Sequence, residues 1–347
     1  MKLKKFFAGV LAAAMMLTVG ATAAFADTIS VPGNDYKGAK MFTTGDATLQ
    51  LTKELKVESG TAPSKMTFNF EVKSGATVVD EPSVTFEPSE EEGSFAATKT
   101  YTRTFGIDLE KLLGTNKTQV GTYEYTITEK NTTIPGITKD PKTVKMSVTV
   151  VNKESNLSES TGYGYIVALR NNEDSQKSDG KFTNTYNAYD LKVKKVVKGN
   201  FADLKDEFTF NITLSKDANK DNNYAGAIVT VTDTSNPANN ASWAIDGTAR
   251  TIKLKHNQVA TISNLPVGVT YTVTETRTNG WVYDTTGEVE TATAINADKN
   301  EVTITNEHEG TPDMGVVLDN APYIAMLAIV AIGGVALMLN KRRRDEE

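Results

Sequence analysis

The chain of 347 residues has a formal net charge of −6 and contains no cysteine. Disulfides are therefore excluded as the means of stabilising an exported fold, and the acidic balance argues against nucleic acid as a partner. The sequence contains no nucleophile–histidine–acid set, phosphate-binding loop or zinc-ligand spacing, so we expect neither an enzyme nor a cofactor or metal site.

The amino terminus has the three parts of a secretory signal peptide in their usual order. Met1–Lys5 is basic, Phe6–Gly20 is an apolar run, and Ala24–Ala26 forms an A-x-A cleavage site. This order predicts a signal peptide over residues 1–26 and export of the bulk of the chain.

The following part of the chain is rich in short segments in which Thr, Val, Tyr and Phe alternate with polar residues. Such period-two alternation between turn residues predicts half-buried antiparallel strands, and many of them in succession predict an all-β fold of Ig-like sandwiches. A helical turn is predicted at Gly106–Leu113. The segments are Thr67–Val72, Tyr123–Glu129, Val144–Val150, Phe208–Leu214, Ile228–Thr234 and Tyr271–Glu275.

The two halves of the chain repeat the same order of strands. Each half opens with a lysine-bearing strand, Leu49–Leu55 and then Leu191–Val197, and closes on an asparagine-bearing strand, Phe182–Tyr186 and then Val302–Asn306. The repeat predicts two domains, 27–187 and 188–309, followed by a sorting segment at 310–347.

Each half also directs one lysine, one glutamate and one asparagine toward its own core. Residues two apart along a strand point the same way, and these residues alternate with Leu, Val, Ile, Tyr and Phe. A hydrogen-bonded polar cluster is the plainer interpretation, because buried charges are costly. Lys192 and Lys194 remain alternatives to Lys195. The predicted triads are Lys53, Glu129 and Asn184 in the first half, and Lys195, Glu275 and Asn306 in the second.

The segment Ile262–Glu275, with Leu265–Gly268 turning into the glutamate strand, carries the strongest resemblance to a known family. The chain resembles the major, backbone pilins of Gram-positive bacteria. Its first half is similar to the amino-terminal domain of the T-antigen type, and its second half to a collagen-adhesin B-type domain. The resemblance implies isopeptide bonds Lys53–Asn184 and Lys195–Asn306, promoted by Glu129 and Glu275.

The carboxyl terminus is similar to a cell-wall sorting signal. Tyr323–Leu339 contains no charge and is followed by the basic Lys341–Arg344, which predicts a membrane span with its tail inside the cell. A plain membrane anchor is the alternative. In the place of the usual Leu-Pro-x-Thr-Gly motif stand Thr311, Pro312, Asp313, Met314 and Gly315. The resemblance implies recognition by a sortase there and cleavage after Met314.

The resemblance further implies that Met314 is joined to a lysine of the next subunit. The polar stretch Asn171–Lys181 offers Lys177, which we favour, and Lys181. The implied partners are identical subunits joined head to tail, pilin-type and housekeeping sortases, peptidoglycan and a tip adhesin. The alternative is a monomeric wall-anchored adhesin that binds a host or environmental ligand.

Overall fold

The computed structural model describes residues 40–41, 47–152, 163–172, 176–217, 228–277, 279–283, 287–311 and 321–344. The predicted signal peptide and residues Pro312–Gly315 of the predicted sorting motif lie outside this described part.

The described chain is built mostly of β-strands, in two successive sets. The first set is β1 Lys40–Met41, β2 Thr48–Val57, β3 Met66–Ser74, β4 Thr77–Asp80, β5 Ser83–Phe86, β6 Lys99–Asp108, β7 Gly121–Glu129, β8 Ile137–Thr138, β9 Thr143–Asn152, β10 Tyr163–Asn171 and β11 Lys181–Tyr186. The second set is β12 Ala188–Lys198, β13 Phe208–Lys216, β14 Ile228–Thr232, β15 Ala241–Ala244, β16 Ala249–Leu254, β17 Val259–Pro266, β18 Val269–Glu275, β19 Val282–Tyr283, β20 Val289–Ala294 and β21 Glu301–Glu307. These strands confirm the predicted all-β fold.

The first set forms one sandwich. One sheet has the order β1-β10-β9-β7-β3-β4, with β5 also paired to β3, and the other has the order β6-β2-β11-β8. Alternate residues of both sheets contribute to a single apolar core. Within it the rings of Phe70 and Phe105 stack with their centroids 4.1 Å apart, so the two sheets are held together by close aromatic packing.

The second set forms another sandwich with its own core. Its sheets have the orders β15-β14-β17-β12-β21-β19 and β16-β13-β18-β20. Apart from Ala188, Lys195 and Glu275, the inward positions of β12, β13 and β18 are Leu, Val, Ile, Phe or Tyr, which is the alternation that a sheet with one buried face requires.

In each sandwich the first long strand lies beside the last one and runs parallel to it. In the first, β2 pairs with β11, so that Lys53 lies opposite Phe182. In the second, β12 pairs with β21, so that Lys195 lies opposite Ile304. A covalent bond between these neighbouring strands would tie the beginning of a domain to its end.

The two sandwiches meet without a linker, because β11 ends at Tyr186 and β12 begins at Ala188. The side chain of Asn264, in the second sandwich, forms hydrogen bonds with the backbone of Thr61, in the first sandwich. Its Oδ1 accepts the Thr61 N–H at 2.8 Å, and its Nδ2 donates to the Thr61 carbonyl at 2.9 Å. The joint is therefore held by direct hydrogen bonds.

The predicted helical turn at Gly106–Leu113 begins later than expected. The helix covers Leu109–Leu113, while residues 106–108 continue β6 because they pair with β2. Asp108 ends the strand and caps the helix, since its carboxylate accepts the N–H groups of Glu110 and Lys111 at 2.9 and 3.1 Å. A 3₁₀ turn, Gly114–Thr118, follows it, and a second such turn covers Pro237–Asn239.

A further helix covers Ala321–Arg344. Its side chains are exposed from residue 325 to residue 339. Within the residues that the structure describes, none of the helices combines the length and the apolar character that crossing a membrane requires. The span predicted over Tyr323–Leu339 is therefore not confirmed.

Candidate functional site

The first-domain triad consists of Lys53, Glu129 and Asn184, which the structure brings into contact in the core. Lys53 and Asn184 lie on neighbouring strands of one sheet, and Glu129 reaches them from the facing sheet. Lys53 Nζ donates to Glu129 Oε2 at 2.7 Å, and Asn184 Nδ2 donates to Glu129 Oε1 at 2.6 Å. The lysine and the asparagine are 0% exposed and the glutamate 3%, so the three side chains are shielded from bulk solvent.

The second-domain triad consists of Lys195, Glu275 and Asn306, and it repeats this arrangement. Lys195 Nζ donates to Glu275 Oε2 at 3.0 Å, and Asn306 Nδ2 donates to Glu275 Oε1 at 2.8 Å. All three residues are buried. Two different sequences thus place the same three groups between a parallel pair of strands and the sheet that faces it.

Local sequence explains why the lysines turn inward. Lys53 stands between Leu51 and Leu55 on the buried face of β2, so an outward turn of the lysine would require the register of the whole strand to change. Aromatic rings receive the two ammonium groups. Lys53 Nζ lies 5.0 Å from the centre of the Phe68 ring, and Lys195 Nζ lies 4.3 Å from that of Phe208. Such rings partly replace the lost water.

Burial shifts the pKa values of both partners in each triad toward the uncharged forms. Desolvation lowers the pKa of Lys53 and raises that of Glu129, and the hydrogen bond between them opposes both shifts without cancelling them. Desolvation likewise lowers the pKa of Lys195 to about 8 and raises the pKa of Glu275. A neutral amine beside a protonated carboxyl is therefore accessible in each core.

The two asparagines differ in what their amide oxygens contact. Asn184 Oδ1 accepts the backbone N–H of Asp140 at 2.8 Å. Asn306 Oδ1 is buried and has no hydrogen-bond partner within the described part of the chain. The first domain thus offers a donor to this oxygen from a loop that the alternation pattern did not mark.

Glu288 is a second residue that sequence reasoning missed. Its Oε1 accepts a hydrogen bond from the Glu275 backbone N–H at 3.1 Å, and its Oε2 accepts one from the guanidinium group of Arg277 at 2.9 Å. Its negative charge contributes to the raised pKa of Glu275. Glu288 lies just before β20, outside any alternating segment, so only the contact itself reveals it.

The candidate linking lysines lie in different surroundings. Lys177 is exposed, and its side-chain nitrogen bonds to none of the described residues, although its backbone forms a β-bridge with Arg170. Lys181 Nζ pairs with Glu54 at 3.2 Å. Of the two, Lys177 is the freer to react.

The remaining predicted residues lie at the surface or outside the described part. Thr311 is exposed, and the sorting-motif residues that follow it lie outside the part of the chain that the structure describes. Lys192 is exposed and pairs with Glu301 at 3.4 Å, while Lys194 lies on the opposite face of β12 from Lys195. Neither lysine contacts the second-domain triad.

Two family models match the chain, one over each half. Residues 49–187 match the family model described as the Spy0128-like isopeptide containing domain. The first domain is therefore similar to this family. Residues 189–308 match a model described as a domain of unknown function, DUF7601. This description does not test the predicted likeness of the second half to a collagen-adhesin B-type domain, which stays a prediction.

Over 94% of its length the chain is similar to a pilin from Streptococcus pyogenes serotype M1, with 28% identity over 362 aligned residues that cover 98% of that protein. Among solved structures, a major pilin from Streptococcus pyogenes is 22% identical with a TM-score of 0.46. The T3.2 major pilin from the same species is 22% identical with a TM-score of 0.44. Each comparison covers 76% of this chain and 99% of the other chain.

Proposed function

We propose that the protein is the shaft subunit of a covalently polymerised surface pilus, in which each domain is closed by a Lys–Asn isopeptide bond. The observation that carries the proposal is the pair of buried triads, each placed where the first and last strands of a sandwich run side by side. The family match of the first domain and the full-length similarity to a pilin support it.

The reaction begins with a proton transfer inside the core. The Lys53–Glu129 hydrogen bond of 2.7 Å lets the ammonium pass a proton to the carboxylate. The amine that remains has a free electron pair, and burial favours this uncharged form. No proton has to come from solvent.

The amine then attacks Cγ of Asn184, and the carboxyl of Glu129 serves both sides of the reaction. The carboxyl first gives the proton that it took from the ammonium to the departing group, since its Oε1 lies at Nδ2. Its Oε2, which lies at the amine, then takes the proton that the attacking nitrogen loses, so the carboxyl never holds more than one proton. A new bond forms from Lys53 Nζ to Cγ, the Cγ–Nδ2 bond breaks, and one ammonia leaves.

The second domain follows the same course with Glu275 as the carboxyl. Its lysine has a pKa of about 8, so a fraction of Lys195 is uncharged near neutral pH even before a proton moves to Glu275. Ammonia again leaves from Asn306.

The bonds compensate for the missing disulfides. Each closes a loop of about a hundred residues or more, which by the loop-entropy argument stabilises a domain by about 5 kcal/mol. Because the bonded strands are parallel neighbours that begin and end the domain, force applied to its ends cannot separate them without breaking a covalent bond.

Assembly would join the Met314 carboxyl of one subunit to the exposed Lys177 of the next subunit, which acts as the nucleophile, with Lys181 as the alternative. A pilin-type sortase would make this bond, and a housekeeping sortase would attach the finished fibre to peptidoglycan, with a tip adhesin at its end. This part of the proposal, with the membrane-held precursor and wall anchoring, rests on the sequence of residues 311–344. A head-to-tail contact of this kind repeats without closing and gives a fibre.

The intact mass of the purified ectodomain tests the cross-links. It should be lower than the calculated mass by two ammonia molecules, and tryptic peptides should join Lys53 to Asn184 and Lys195 to Asn306. An ectodomain of full calculated mass would refute the proposed bonds.

A further inference from the structure

The side-chain amide of Asn184 is held at both of its ends. Its Nδ2 donates to Glu129 Oε1 at 2.6 Å, and its Oδ1 accepts the backbone N–H of Asp140 at 2.8 Å. Since a backbone N–H can only donate, the atom that faces it must be the amide oxygen. The carbonyl that the lysine attacks thus has a fixed direction.

Charge develops on this oxygen during the reaction. When the amine of Lys53 bonds to Cγ, one electron pair of the carbonyl bond moves to Oδ1, where it forms an oxyanion. A preorganised donor aimed at such an atom, in a site without water, is commonly the largest single contribution to a rate.

We propose that the backbone N–H of Asp140 is the oxyanion donor for the first-domain isopeptide bond. The inference rests on the proposed function and adds to it a catalytic group outside the triad. The N–H touches the reacting amide, whereas the Asp140 side chain holds the N–H in place and its charge acts to raise the pKa of Lys53.

The Asp140 carboxylate fixes its own backbone to the strand that carries Asn184. Its Oδ2 accepts the Thr183 N–H at 2.7 Å, and its Oδ1 accepts the Lys142 N–H at 2.9 Å. Pro141 lies between Asp140 and Lys142 in sequence, and its ring further restricts the backbone of this loop. These contacts keep the donor directed at Asn184 Oδ1 before the reaction starts.

The second domain supplies a control within the same molecule. It carries its own triad, and none of the described contacts of Asp140 reaches that domain. A change at Asp140 should therefore slow the first bond and leave the rate of the second bond unchanged.

The decisive experiment replaces the amide at residue 140 by an ester, which exchanges the N–H for an oxygen and keeps the aspartate side chain. The ectodomain is made in a short pulse of cell-free translation and quenched in denaturant at intervals. Intact mass and cross-linked tryptic peptides then give the rate of each bond. We expect the first bond to form about 10²- to 10³-fold more slowly and the second at the wild-type rate.

Two side-chain variants complete the test. Asp140→Ala should slow the first bond by about tenfold through loss of the two contacts that orient the N–H. Lys142→Ala, which keeps its own backbone N–H, should not slow it. Circular dichroism checks that each variant folds.

An ester variant that forms the first bond at the wild-type rate overturns the proposal, whatever Asp140→Ala does. A wild-type chain that loses no ammonia in either domain refutes the proposed function, and this inference with it. Slowing of both bonds together would also contradict it, because Asp140 has no contact with the second domain's triad.

Discussion

Asn184 lies two residues further along the parallel ladder than Lys53. Lys53 pairs with Phe182, and Asn184 pairs with Leu55. The second domain keeps the same offset, since Lys195 pairs with Ile304 and Asn306 with Val197. Side chains at this diagonal point into the same core, and a glutamate of the facing sheet reaches both. The shared offset is the reason to expect the same chemistry in both domains.

The two glutamates should be required separately. Glu129→Ala should prevent only the first bond and Glu275→Ala only the second, because each carboxyl moves protons in its own core. The intact mass of each variant, corrected for the substitution, should therefore exceed that of the wild type by one ammonia. Loss of one bond should lower the melting temperature of that domain by roughly 10–20 °C.

Intact mass and differential scanning calorimetry measure these effects. Glu54→Ala is a matched control, because Glu54 lies on the same strand as Lys53 but pairs with Lys181 outside the triad. A second bond that still forms in Glu275→Ala would show that the role assigned to Glu275 is wrong.

An uncross-linked second domain should become more stable as the pH rises from about 8 to about 10.5. In Asn306→Ala, Lys195 remains an amine with a folded-state pKa of about 8, below its usual value of 10.5. Between these values the unfolded chain binds more protons than the folded one, so the free energy of unfolding increases with pH. In the cross-linked wild type this nitrogen is an amide and does not titrate.

The difference in melting temperature between wild type and Asn306→Ala should therefore be larger at pH 7.5 than at pH 10. Groups common to both proteins cancel in this difference. A difference in melting temperature that stays constant or grows as the pH rises would contradict the assigned pKa shift of Lys195.

Assembly should depend on Lys177. In the native host, Lys177→Arg should abolish the high-molecular-weight ladder of covalent polymers in cell-wall extracts. Arginine keeps the positive charge, but its guanidinium stays protonated and is not a nucleophile. Lys181→Arg should leave the ladder intact, since Lys181 is engaged with Glu54. The opposite pair of results would move the linkage to Lys181. A wild-type strain without any ladder would contradict the shaft function.

Gly60 should control how firmly the two domains are joined. Its φ is +72°, and an added Cβ would lie 2.5 Å from Asn264 Oδ1 and 2.7 Å from the Ala188 Cβ. Gly60→Ala should therefore break the Thr61–Asn264 pairing and increase the freedom between the domains, while both cross-links still form.

Small-angle scattering should detect this as a broader distribution of interdomain distances. Gly93→Ala is the matched control, because Gly93 has a φ of +65° but has no neighbour within 4 Å of the added Cβ. It carries similar backbone strain without the clash. Equal behaviour of the two variants would argue against a role for this contact.

The sequence by itself determined the strands that carry the two triads and the residues of those strands that face inward. A register shift by one residue would expose Leu51 and Leu55 together with Lys53, so the alternation fixed the orientation of all three. The same reasoning applied to both halves, which is why the repeat of lysine, glutamate and asparagine could be found without a structure.

Only the tertiary structure decided which partners these residues meet. The bond between Asn184 and Asp140 joins residues of a strand and of an irregular loop, and Glu288 reaches Glu275 from just before β20. Such contacts depend on how sheets and loops pack across many residues of chain, and no local period encodes them. The exposed state of Lys177 and the pairing of Lys181 with Glu54 were likewise set by packing, because two lysines of one polar loop are equivalent in sequence until the fold gives them different neighbours.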